Sequence, residues 1–562
     1  MKTTIMKKIN TGFNPLPVLT VLILLSSSCT KGFEELNTDK TKIEVLAPKQ
    51  LDKLFTTAEY AGITNTDQWA GGYQLLVSLA SDEQAQFFSC TQAAFPSDRN
   101  EMVGRWINGG WSSFLQGATT LAEIMNQTGP SAPAPDPLRE AVAKIWKAYI
   151  YMPMTDAFGP IPYTQVGNGQ DVVNYDSQES IYMDFFKILT EATEVLSQNA
   201  DKTAFATGDI IYGGDLSKWL KLGNSLRLRA AIRVSKKIPD IAKTQAEAAI
   251  AAAGGLLLDI EDNAEMTPTP PNYLNPLGVI SEWGEFRMSA SMESIMKGYQ
   301  DPRVPMYWAP AKNTGEFNGI RNGLSIVQMS ESFNGNDNNS NVVPRFQNAA
   351  NATEPHTIYV AAETWFNMAE AKLNGWNVGA YTAKECYENG ITASMQQWGV
   401  AGSAAAYIAS TKTPQAFTGP APYSAPPLSD IPVAFGATEE VQREQIGTQK
   451  WLSLYPSMSG EAWAEFRRTG YPKLYPRINN DNPDASTDAG SVKRLIFPPS
   501  EITVNADGYQ SGIELLGGKG LVESINHFFK YVKSRFNYEV AFFYIKNFKY
   551  IIVKTKPKLR VC

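Results

Sequence analysis

Residues 445–472, QIGTQKWLSLYPSMSGEAWAEFRRTGYP, decide how the rest of the chain is read. Ile446, Lys450 and Leu454 recur at helical spacing, with Trp451, Leu452 and Tyr455 beside them, and Pro456 stops the pattern. After a Ser/Gly turn a second helix restarts over residues 461–468, with Trp463 and Phe466 on one side. It ends before Gly470, and Pro472 blocks any continuation. Glu461 and Glu465 are four apart, and Glu465 and Arg468 three apart, so they share a face. Charges at this spacing are far more often salt-bridged or solvated than set for acid/base work, so the expectation is a structural role.

Composition narrows the classes. With 562 residues, 43% hydrophobic and 19% charged, the chain can bury a large core and is not disordered as a whole. Only His356 and His527 are present, which argues against histidine catalysis and multi-His metal sites. Setting aside Cys29 and Cys562 leaves Cys90 and Cys386, too few for a disulfide framework and without a neighbouring His to activate a thiol. Whether those two are bridged is open at this stage. The polar run 334–341 holds a single carboxylate, Asp337, too few for a calcium loop.

The N-terminus reads as an export signal over residues 1–28. Lys2, Lys7 and Lys8 precede a short apolar run, residues 16–25, too short to anchor as a membrane span. Ser26, Ser27 and Ser28 lead into Cys29, which resembles a bacterial lipobox with Cys29 as the lipidated residue; the leucine sits one place early, at Leu25.

Helical patterns recur downstream. Residues 82–88 and 111–124 are the clearest early pieces, and residues 138–152 form an amphipathic helix running into Thr155-Asp-Ala-Phe-Gly-Pro-Ile-Pro-Tyr163. Asp176 with Glu179 suggests a capping box. Residues 215–233 carry Arg227, Arg229 and Arg233, expected to bridge carboxylates on stacked helices. A Pro/Gly/Asn-rich region, 254–351, separates these from a helix holding Glu363 and Glu370, seven apart and on one face. The partner helix follows at 384–394.

These motifs together resemble the SusD/RagB family of Bacteroidota outer-membrane nutrient-binding lipoproteins. The carriers are EAWAEFRRTGYP at 461–472, TDAFGPIPY at 155–163, WLKLGNSLRLR at 219–229, Asp301-Pro-Arg303 with its following glycines, the Glu363–Glu370 helix, and residues 494–501 up to Lys519. The resemblance implies a mainly α, tetratricopeptide-like helical-repeat scaffold with long irregular loops, occupying residues 29–520. It also implies an oligosaccharide- or nutrient-binding protein, lipid-anchored at Cys29 in the outer membrane and facing outward, that passes ligand to a SusC-like TonB-dependent transporter. No catalysis, cofactor, metal or nucleic acid is implied. Aromatics in Gly/Pro/Asn-rich stretches, Trp69, Tyr73, Tyr273, Trp283 and Trp308, are the expected stacking platform, with Asn, Gln, Asp and Arg bonding hydroxyls. Two other readings share the composition: a helical surface glycoside hydrolase using two carboxylates, and a helical-repeat interaction scaffold.

The resemblance stops near Lys519. Residues 521–562 carry nine Lys/Arg against two Glu, a net +7, while the signal carries +3; of the chain's overall −6 this leaves −16 for residues 29–520. The expectation is an atypical basic/aromatic tail, from a shifted reading frame or readthrough, outside the folded body.

Overall fold

A computed structural model describes residues 45–65, 71–347, 353–482, 485 and 491–517, with the backbone of residues 539–545 and 548–554. Cys29, Trp69 and most of the tail lie outside the described residues.

Helices dominate: α1 (Pro48–Gly62), α2 (Gly104–Thr128), α3 (Pro137–Phe158), α4 (Gln178–Ser197), α5 (Leu216–Val234), α6 (Pro239–Ile250), α7 (Ala361–Leu373), α8 (Ala383–Gln397), α9 (Glu439–Ser453), α10 (Ser459–Thr469) and α11 (Ala506–Leu515). From α1 to α6 each helix packs on the next, α7 packs on α5, and α8 and α9 both pack on α7. That is the helical-hairpin stacking expected of a tetratricopeptide-like scaffold.

Local chemistry sets the boundaries. Asp136 caps α3 by accepting from Arg139 N at 3.1 Å, and Asp215 caps α5 by accepting from Ser217 N and Lys218 N. Thr382 and Glu385 form a reciprocal capping box on α8. Helix α10 stops at Gly470, whose φ of 82° a side chain would disfavour. Two expected boundaries move. Helix α3 runs past Pro153 through Thr155–Phe158, and the chain leaves it only at Gly159. The N-cap of α4 is Ser177, accepting from Ser180 N, whereas Asp176 instead binds Thr164.

Among the described residues, sheet is confined to two-stranded pieces. Strand β1 (Phe88–Cys90) pairs with β5 (Phe286–Met288), β2 (Ile161–Pro162) with β3 (Tyr175–Asp176), and β4 (Ala264–Met266) with β6 (His356–Tyr359). In the tail, β7 (Glu539–Ile545) pairs with β8 (Phe548–Lys554) alone. Both Cys90 and Cys386 are free and buried, which settles the open pairing.

The stretch after residue 70 corrects the sequence reading. Gly71–Tyr73 is helical and continues into a π-helical turn, Gln74–Asp82, instead of forming an open loop. Conversely, Phe88 is in strand β1, not at the end of a helix. Glycines allow this run to press against α2: a Cβ on Gly72 would fall 2.2 Å from Ser113 Oγ, and one on Gly110 2.1 Å from Leu76 Cγ.

Candidate functional site

Two constellations compete for a function: the charges of 461–468 and the aromatics of the irregular regions.

The charges form a buried network. Arg229 on α5 grips Glu363 on α7 through Nε at 2.7 Å and Nη2 at 2.6 Å. Arg233 donates to Asp156, to Glu461 at 2.6 Å and to Glu465 at 3.1 Å. Lys450 Nζ reaches Glu465 at 3.0 Å, and Arg468 holds Glu370 with two 2.6 Å bonds and Glu465 with two more. Arg227 departs from the expectation, since it bonds the amide oxygen of Gln245.

Acid/base work needs a carboxyl kept protonated near neutrality. Burial raises Glu461, but Arg233, Arg229 and Lys450 outweigh it and hold the carboxyl down at about 2. Burial also raises Glu465, and Arg468, Lys450 and Arg233 pull it well below the usual carboxylate range. Neither can serve as a general acid at neutral pH, and each is fully engaged in ion pairs that bind the helices together. Among the described residues no group of three His, Cys, Asp or Glu is placed to hold a metal.

The aromatics separate by burial. Tyr73 (1% exposed) lies in the helical run pressed on α2, its ring edge-on to His356 at 5.7 Å. Trp308 (0%) sits in an aromatic cluster, 4.9 Å from Tyr455 and 5.5 Å from Phe88. Neither ring is an exposed stacking face; Tyr73 instead lines a cavity of about 110 Å³ with Tyr149, His356 and Trp463. Flexible-looking neighbours in the sequence concealed contacts made by distant segments.

Trp283 and Tyr273 do reach the surface. Trp283 is 41% exposed at the end of a 3₁₀ turn, Ser281–Trp283, closed by Gly284 at φ 72°. The turn is rigid: Ser281 Oγ donates to Phe346 O, and Gly284 O accepts from Thr91 Oγ1 at 2.8 Å and Asn336 Nδ2 at 2.7 Å. Two residues on, half-buried Glu285 accepts from Gln74 Nε2 at 2.6 Å, and burial raises its carboxyl pKa. Partly exposed Tyr273 packs edge-on against Tyr60, centroids 4.9 Å apart. The Tyr60 hydroxyl in turn accepts from Asn65 Nδ2 at 2.7 Å and from Leu274 N at 3.2 Å.

Asn65 and Gly71 flank the stretch that carries Trp69. Tyr273 is therefore tied to the entry of that stretch through Tyr60 and Asn65. Trp283 is tied to its exit through Glu285 and Gln74. An aromatic face beside a carboxylate, two amides (Gln74, Asn336) and a hydroxyl (Thr91) suits a polyol ring, which presents C–H faces and hydroxyl edges. Nothing in the sequence signals Gln74, Thr91, Glu285 or Asn336, because four separate segments bring them together.

Comparison with known proteins agrees with this architecture. The family model described as Susd and RagB outer membrane lipoprotein matches residues 34–526. A chitin-binding SusD homolog from Flavobacterium johnsoniae superposes with a TM-score of 0.76 at 34% identity, covering 83% of this chain and 96% of that one. A SusD homolog from Bacteroides uniformis gives 0.73 at 31% identity over 82% and 96%, and one from Bacteroides vulgatus gives 0.75 at 29% over 83% and 94%. No curated protein sequence matches the chain.

Proposed function

The chain belongs to the SusD-like family of outer membrane lipoproteins, whose members are non-catalytic carbohydrate binders, and on that premise we propose that it captures an oligosaccharide at the cell surface. The observation that carries this reading is Trp283, a large ring left exposed on a turn fixed by three hydrogen bonds. A ring held in place loses little entropy when a sugar stacks on it. Tyr273 extends the platform, and Gln74, Thr91, Glu285 and Asn336 bond hydroxyls at its margin. Trp69 remains part of the platform in this proposal.

Anchorage follows from Cys29: lipidated there, the protein sits on the outer membrane facing outward. Among the described residues no helix is long and apolar enough to cross a membrane. Bound ligand then passes to a SusC-like TonB-dependent transporter, the partner that the family assignment implies. The domain reading also stands as part of the proposal: signal 1–28, binding domain 29–520, and a tail 521–562 that is dispensable.

Isothermal titration against a glycan panel tests the function. Because one relative is described as chitin-binding, chito-oligosaccharides are the first ligands to try. Binding without change in the glycan's chain length supports the proposal. Cleavage would favour the hydrolase reading, and no binding to any glycan would favour a protein-interaction scaffold.

A further inference from the structure

Arg467 and Arg468 are neighbours with opposite partners. Arg468 is saturated by two carboxylates, Glu370 and Glu465. Arg467 stacks on Trp463, 3.9 Å from the ring centroid, and bonds only neutral carbonyls: Trp463 O from Nε, and Asp156 O (2.8 Å) and Lys493 O (2.6 Å) from Nη1. Among the described residues no carboxylate lies within 4 Å of it, and its Nη2 takes part in none of these bonds. The Asp156 carboxylate is committed to Arg233, Tyr182 and Gln178. Burial pushes the Arg467 pKa down from its usual value to about 10, the attraction of the nearby Asp156 carboxylate only partly offsetting it and the like charge of Arg233 adding to it. A cation in this state gains more from an incoming anion than a solvated one does.

Arg467 lies on the wall of a groove of about 580 Å³. The exposed side chain of Lys493 adds a second cation on the same wall, with no carboxylate among the described residues within 4 Å. The lining also holds Asp156, already engaged by Arg233, and the aliphatic side chains of Met102, Val492, Ile496, Leu515 and Leu516. None of the described lining residues is aromatic, so the groove lacks the stacking face that a sugar ring uses. It is also a local basic site on a body whose residues 29–520 sum to −16.

We propose that this groove docks an acidic peptide segment of a partner protein. A carboxylate would sit against Arg467 Nη2 and the Lys493 ammonium, and an adjacent aliphatic side chain against Leu515 and Leu516. Charge complementarity selects the carboxylate, and the aliphatic wall selects a peptide over a sugar acid. This inference is independent of glycan binding, because Trp283 and Tyr273 do not line the groove.

Fluorescence anisotropy on the whole chain tests it, with a labelled Leu-Glu-Val-Asp-Leu peptide and its neutral twin Leu-Gln-Val-Asn-Leu. The acidic peptide should bind at least about tenfold more tightly at about 50 mM salt, and the preference should shrink at about 300 mM. Lys493→Glu, an exposed change that leaves the melting temperature unaltered, should abolish the preference. Arg467→Lys, which keeps the charge but loses the planar donor edge, should weaken it several-fold. Equal affinity for the two peptides overturns the proposal, as does a preference untouched by Lys493→Glu. Displacement of the peptide by free glucuronate at equal concentration would assign the groove to a sugar acid and overturn the peptide assignment.

Discussion

Arg229 and Glu363, 134 residues apart in the chain, meet in a two-pronged ion pair at 2.6–2.7 Å with almost no access to solvent. The pair fastens α5 to α7, across the irregular region that separates the two sets of helices in sequence. Arg229 also stacks over the Tyr359 ring at 4.4 Å, so the guanidinium is enclosed on its face as well as its edge. Around it Arg233, Lys450 and Arg468 engage Asp156, Glu370, Glu461 and Glu465, so positive and negative charges interleave. Isolated buried ions cost several kcal/mol each, and only such near-complete pairing makes the arrangement tolerable.

Removing one partner should therefore be expensive. Glu363→Ala is expected to lower stability by about 3–5 kcal/mol, because it strands Arg229 without its bidentate carboxylate. Replacing both, as Arg229→Met with Glu363→Leu, should recover most of that loss. Denaturant melts of the two variants check this, and equal losses in the single and double variants would show that the pair is not the source of the effect.

A second buried carboxylate should make stability depend on pH. Burial pushes Asp82 up to about 8, with a hydrogen bond from Ser459 opposing the shift. An unfolded Asp titrates near 4, so between about pH 4 and 8 the folded state holds the extra proton. Stability from this site is then fully present below about pH 4 and is lost as pH rises to about 8. Burial raises Glu83 and Glu59 as well, so the slope is shared. Asp82→Asn mimics the protonated form and should gain on the wild type by about 1–3 kcal/mol between pH 5 and 8. An advantage that does not grow with pH would contradict the assignment.

The tail gives a third expectation. Its two strands, β7 and β8, pair with one another and with no strand of the body among the described residues. A chain ending at Gly520 should keep its melting temperature and ligand affinity and aggregate less. Loss of folding on truncation would make residues 521–562 a closing element of the fold. The coding DNA beyond the Lys519 codon, read in the other frames, offers a separate check.

Lipidation is tested by metabolic labelling with a palmitate analogue. Label on the wild type should disappear in Cys29→Ala. Undiminished label on the variant would move the anchor elsewhere.

What was legible in the sequence was whatever short-range spacing controls. The helix over Ser459–Thr469, its stop at Gly470 and the shared face of Glu363 and Glu370 all follow from periodicity and a terminal glycine. The ion-pair role of Glu461 and Glu465 was the expected one because such spacing rarely serves chemistry. The burial of Tyr73 and Trp308 was not legible, for the opposite reason. Their sequence neighbours look like loop, while His356 packs against Tyr73, and Phe88 and Tyr455 against Trp308, all distant in the chain. The groups around Trp283 were invisible for the same cause: Gln74, Thr91 and Asn336 meet Gly284 and Glu285 only in the folded molecule.

The central claim is that an exposed ring on a rigid turn binds sugar, and titration of Trp283→Ala with the cognate oligosaccharide tests it most directly. At 41% exposure the ring is the most accessible tryptophan side chain among the described residues, and the variant is expected to melt close to the wild type. Its affinity should fall by about 1–3 kcal/mol, by analogy with stacking of nucleic-acid bases on aromatic rings. Wild-type affinity in a folded Trp283→Ala protein would contradict the account.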